Sequence, residues 1–125
     1  MKLEYLAAGS KRCPLVRLYG FDQEEARNLR QLVRSLSSES RQEVSLNEKP
    51  WIESIGGCYI EFRVGDRNEG IRQCAPLNFE CVLTQGGWKN VEGLLDPFCE
   101  SASSGYQWLV GTGKISLLLS HNGQW

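Results

Sequence analysis

Apolar residues Ala26, Leu29, Leu32, Val33 and Leu36 recur three and four positions apart, so residues 23–36 read as an amphipathic helix with one stripe facing a core. Asp22 stands where the N-cap belongs and Glu25 follows three residues later, a pattern that predicts a reciprocal capping box. Trp88, Val91, Leu94, Leu95 and Phe98 draw a second stripe, which predicts a helix over 86–95 with Thr84 as its cap. Gly86, Gly87 and Gly93 weaken it, each by up to about 1 kcal/mol against Ala. Pro97 is expected to end this helix near Leu95, with Asp96 capping a final short turn.

Elsewhere the apolar period falls to two, as in strands. Residues 2–8 and 15–21 predict a hairpin about Gly9-Ser10-Lys11-Arg12, and 43–47 a short strand that Lys49-Pro50 breaks. From 52 to 64 a long strand is expected, bent or bulged at Gly56-Gly57. In it Cys58, Ile60, Phe62 and Val64 take one face while Tyr59, Glu61 and Arg63 take the other. The turn-forming stretch GDRNEG (65–70) leads to a return strand over 71–83, where Leu77, Phe79, Cys81 and Leu83 oppose Arg72, Asn78 and Glu80. Pairing Val64 with Ile71 makes the two apolar faces coincide and sends Cys74 to the face opposite Cys58, which disfavours a bridge between them. A loop over 101–105 and a last hairpin, 106–110 with 115–120, complete the chain. Consecutive Leu117, Leu118 and Leu119 indicate a strand covered on both faces or lying centrally in the sheet.

These elements predict an α+β fold: a single domain, 1–125, with a mainly antiparallel sheet and two helices on one face. Residues 14–36 and 76–98, displaced by 62 positions, share Pro14/Pro76, Leu15/Leu77, Gln23/Gln85, Asn28/Asn90 and Leu32/Leu94. The expectation is therefore a tandem βαββ pseudo-repeat with halves at about 14–64 and 76–120. That order of elements resembles gyrase-inhibitor-like small-molecule-binding domains, a likeness of element order with no residue motif behind it.

A net charge of −1 with 23% charged residues sets aside both intrinsic disorder and a generally basic nucleic-acid binder. No apolar run reaches the roughly 20 residues needed to span a bilayer, and MKLEYLAAG lacks a signal-peptide apolar core, so a cytoplasmic protein is expected. The five cysteines include no C-x-x-C pair and predict free thiols. His121 is the sole histidine, which removes multi-histidine metal sites; Gly111-Thr112-Gly113-Lys114 lacks the first glycine, the hydroxyl residue and the helix of a phosphate loop. No metal and no other cofactor is expected. Arg27, Arg30, Arg34 and Arg41 alternate with Glu24, Glu25, Glu39 and Glu43, which reads as a solvated helix face; neither nucleic acid nor membrane is expected as a partner.

With no nucleophile–base pair and no cofactor loop, the sequence favours a non-enzymatic ligand-binding or protein-interaction module, its partner a small molecule or another protein. The alternative is a small enzyme with a carboxylate-based site that the sequence does not locate. The candidate ligand-binding residues are Tyr59, Glu61, Arg63, Arg72, Asn78 and Glu80, gathered on the sheet face away from the helices. Val16, Leu18, Val82 and Leu118 are expected to border them; bending at Gly56-Gly57 decides whether the face is a concave pocket or an ordinary solvated sheet face with cross-strand Glu–Arg pairs.

Overall fold

Strands β1 (Lys2–Leu6) and β2 (Leu15–Tyr19) form the first antiparallel hairpin, with Leu3 opposite Leu18 and Tyr5 opposite Val16. The computed structural model of the chain describes residues 1–100, 105–111 and 113–125. The loop expected over 101–105 therefore lies, for 101–104, outside the described residues, as does Thr112 of the expected turn at 111–114. Helix α1 (Gln23–Ser37) follows, then β3 (Glu43–Ser45), a 3-10 turn (Leu46–Glu48), β4 (Glu53–Ser54) and β5 (Tyr59–Val64). The remaining elements are β6 (Gly70–Ala75), β7 (Asn78–Leu83), helix α2 (Gln85–Glu100), β8 (Tyr106–Val110) and β9 (Ser116–Ser120).

The α+β class holds, but two mixed sheets replace the one mainly antiparallel sheet expected. The first is ordered β4-β1-β2-β9-β8 and the second β3-β5-β7-β6. Parallel pairing of β2 with β9 and of β5 with β7 lies at the middle of each. Antiparallel neighbours flank those pairs: β1 and β8 in the first sheet, β3 and β6 in the second. Alternation reports which residues share a face; it carries no information on which strand lies beside which.

The predicted strand over 52–64 is cut in two. Gly56 and Gly57 have φ of +66° and +82°, a left-handed conformation open to glycine, and here the chain leaves β4 in the first sheet to enter β5 in the second. The expected pairing of Val64 with Ile71 does not form, because β7 lies between β5 and β6. The return strand is likewise two strands, β6 and β7, which pair with each other across the turn at Pro76-Leu77.

Helix α1 carries both arms of the capping box: Glu25 N–H donates to Asp22 Oδ1 at 2.8 Å, and Asp22 N–H donates to Glu25 Oε1 at 3.2 Å. Thr84 Oγ1 accepts from Gly87 N–H at the start of α2. Contrary to expectation α2 runs through Pro97 to Glu100. Proline in the last turn removes one ladder donor, and tertiary contacts offset it. Phe98 packs edge-on against Phe21 with ring centroids 5.8 Å apart, and the Cys99 carbonyl accepts from Gln23 Nε2 and Arg27 Nε of α1.

The helices pack side by side, although not on one face of one sheet. One buried cluster takes Leu3, Val16, Leu18, Leu117 and Leu119 from the first sheet, Ile60, Phe62, Phe79 and Cys81 from the second, and the apolar stripes of both helices. The rings of Tyr5 and Phe79, centroids 4.7 Å apart, join the sheets directly. Arg27 and Arg34 are exposed, as expected of a solvated helix face, and the face also bridges to α2: Arg30 to Asp96 at 3.1 Å and Arg34 to Glu92 at 2.9 Å. The hydrogen bond to Asp96 raises the Arg30 pKa and keeps the guanidinium charged. Among the described residues no helix is long and apolar enough to cross a membrane.

Candidate functional site

Period-two alternation sets the site. Since Ile60, Phe62, Phe79 and Cys81 are drawn into the core, the intervening Tyr59, Glu61, Arg63, Asn78 and Glu80 project from the outer face of the second sheet. Parallel register then places Tyr59 beside Asn78 and Glu61 beside Glu80, while the β6–β7 pair sets Arg72 against Glu80. All six predicted residues thus share a face, although the pairing expected to bring them together does not exist. Ser45, Glu61, Glu80 and Arg72 form one row across the four strands.

Five of the six, Tyr59, Glu61, Arg63, Asn78 and Glu80, line one open hollow of about 330 Å³ with Cys74 and Phe79; Arg72 stands outside that lining and contacts Glu80. Of the expected apolar border only Val82 lies on this face, where it pairs with Arg63. Val16 and Leu18 are buried in the core, and Leu118 lies on the outer side of the first sheet beside Arg17. Alternation continued across a single sheet puts those three on this face; the division into two sheets carries them elsewhere.

Charge on this face is linked but unbalanced. The Arg63 guanidinium lies 3.5 Å from Glu43, 3.6 Å from Glu61 and 3.6 Å from Glu80. Arg72 reaches Glu69 at 3.5 Å and also pairs with Glu80. Four carboxylates therefore surround two guanidiniums, which leaves a local excess of negative charge. Arg63 is 47% exposed, so its pairs are screened by water and each contributes about 0–1 kcal/mol.

Glu61 also lines a second hollow, of about 130 Å³, with Arg41, Glu43, Val44, Ser45, Glu48 and Lys49. Ser45 Oγ is buried at its wall with no hydrogen-bond partner among the described residues. Glu43, Ser45 and Cys74 are members of this surface that sequence reasoning did not single out. Glu43 and Ser45 alternate with buried Val44, a signal present in the sequence but short enough to pass as an ordinary edge.

The thiols divide by burial. All five cysteines are free. Burial pushes the Cys58 and Cys81 thiols up, to about 11 and about 12, which keeps them protonated and unreactive near neutrality. Cys74 is exposed at the hollow. Among the described residues no cluster of three or more His, Cys, Asp or Glu is arranged to hold a metal ion. No protein-family model, curated protein or solved structure matches the chain.

Proposed function

We propose that the protein is a binding module whose ligand is a small organic cation, an amine or guanidinium compound, held on the outer face of the second sheet. The observation that carries this reading is the in-register pair Glu61 and Glu80 on adjacent parallel strands, sharing a hollow with one guanidinium and the ring of Tyr59. Two carboxylates offer acceptors to a cation, an aromatic face attracts it, and the Asn78 carboxamide supplies orientation. The exposed Arg63 pairs are weak enough for a ligand cation to compete for the same oxygens. Binding is favoured over catalysis because Glu61 and Glu80 already sit in ion pairs with Arg63, with no histidine or buried nucleophile beside them among the described residues lining the hollow.

The test is a thermal-shift screen of putrescine, agmatine, arginine and choline against the wild-type chain, Glu61→Gln and Tyr59→Ala. A ligand at 100 times its Kd stabilises the folded state by about 2.7 kcal/mol, a readily measured shift. Loss of the shift in both variants is the expected result. The absence of any hit, or shifts unchanged in both variants, overturns the reading.

The tandem reading of the chain belongs here too. In the first sheet β1, β2, β9 and β8 join in the order antiparallel, parallel, antiparallel; in the second β6, β7, β5 and β3 join in that same order. Setting aside the two-residue edge strand β4, which has no counterpart in the second sheet, this supports halves that each donate two strands to either sheet, with β1 and β6 added ahead of the halves 14–64 and 76–120 read from the sequence.

A further inference from the structure

We infer that the outer face of the first sheet carries a second binding site, for one ring of a neutral carbohydrate, formed where the chain's last residues fold against β8. Among the described residues three large apolar side chains are left substantially in water: Leu77, Tyr106 and Trp125. Tyr106, 51% exposed, and Trp125, 38% exposed, line the same hollow of about 290 Å³. Scattered exposed apolar groups are ordinary, whereas two aromatics around one hollow mark an interaction site.

The segment that brings Trp125 there is fixed at several points. His121 N–H donates to the Gly105 carbonyl at 2.9 Å, and Gly20 N–H donates to the His121 carbonyl at 3.1 Å. Arg17 Nη1 donates to the Gly123 carbonyl and Ser120 Oγ to the Gln124 carbonyl, both at 2.6 Å. Gly123 itself lies so close to Arg17 and Tyr19 that an added Cβ would meet them at 3.0 and 3.1 Å. This positive-φ glycine lets the tail lie flat on the sheet. Beside the hollow, Tyr106 meets Trp108 edge-on at 6.4 Å, and the Arg12 guanidinium covers the Trp108 ring at 4.9 Å. Arg12 therefore covers Trp108 and bounds the aromatic surface on that side of Tyr106.

The ligand class follows from what surrounds the rings. Asn122, Gln124 and Gly105 complete the lining, with no acidic or basic side chain among these residues. The Gln124 side-chain amide and the Asn122 Nδ2 make no hydrogen bond within the described residues; Asn122 Oδ1 accepts from Gln124 N–H. A pyranose presents a C–H face that packs on an aromatic ring and a rim of hydroxyls that both donate and accept, which is what free carboxamides recognise. An ionic ligand finds no counter-charge in these side chains. A proline-rich peptide also packs on aromatics, but it calls for an extended groove rather than one ring-sized hollow.

The experiment is an NMR titration of the ¹⁵N-labelled full chain with cellohexaose, mannohexaose and chitohexaose, and separately with decaproline. At least one oligosaccharide is expected to shift the Trp125 indole and the Asn122 and Gln124 carboxamide signals saturably, with Kd about 1 mM or tighter. Trp125→Ala and Gln124→Ala are each expected to weaken that binding about tenfold, while Leu77→Ala leaves it unchanged. Saturation by none of the sugars, saturation by decaproline alone, or undiminished sugar binding by both tail variants overturns the inference.

Discussion

The indole Nε1 of Trp88 donates a 2.8 Å hydrogen bond to the main-chain carbonyl of Arg63, so the second helix holds the strand that carries the candidate cation site. Trp88 is fully buried, and its ring lies 4.7 Å from Phe62, the inward neighbour of Arg63. Core packing and the outer face of β5 are therefore connected by one side chain. Trp88→Phe keeps an aromatic but removes the donor and leaves a void; a loss of about 1–3 kcal/mol in urea unfolding is expected. An unchanged midpoint and slope would show that this bond contributes nothing.

The capping box of α1 predicts a second loss. Asp22→Ala removes the acceptor for Glu25 N–H, and a destabilisation of about 0.5–2 kcal/mol is expected, with Asp22→Asn retaining most of the wild-type stability. Chemical denaturation of the two variants side by side decides it.

The buried thiols give a pH dependence with a definite sign. Folding raises Cys58 and Cys81 above the ordinary thiol value of 9.0, to about 11 and about 12, so above pH 9 the unfolded chain loses protons that the folded chain keeps. Their contribution is intact below pH 9 and is lost as pH rises through the folded values. Stability measured from pH 8 to 11 is expected to fall, and the fall to be shallower in Cys81→Ala. At pH 8 the exposed Cys74 is expected to react with a thiol reagent far ahead of these two, and the denatured, unreduced chain to titrate five thiols.

Gly56 and Gly57 make the transfer between sheets at positive φ, where a side chain is strained. Gly56→Ala and Gly57→Ala are each expected to cost about 1–3 kcal/mol, seen as a lowered unfolding midpoint. Gly93→Ala, on the exposed side of α2 with nothing near its missing Cβ, is expected to stabilise by up to about 1 kcal/mol. The opposite signs separate glycines that the backbone needs from one that only weakens a helix.

Much of this protein is determined locally and is legible in the sequence. Asp22 and Glu25 lie three residues apart, so their reciprocal bonds and the start of α1 follow from chain geometry alone. Alternation of Ile60 and Phe62 with Tyr59, Glu61 and Arg63 assigns each side chain to a face whatever strand lies alongside. That is why five of the six chosen residues line one hollow even though the expected β5–β6 pairing is absent. Partner choice is a different matter. The parallel pairs β2–β9 and β5–β7 join residues about 100 and about 20 positions apart, through backbone groups that every residue carries, so side-chain pattern does not select them. The separation into two sheets, the continuation of α2 through Pro97 and the turning of the α1 arginines toward Glu92 and Asp96 all depend on burial created once the elements have met. Tertiary structure alone likewise decided that Trp125 shares a hollow with Tyr106, because the hydrogen bonds that hold the tail involve Arg17 of β2, Ser120 of β9, Gly20 just after β2 and Gly105 just before β8.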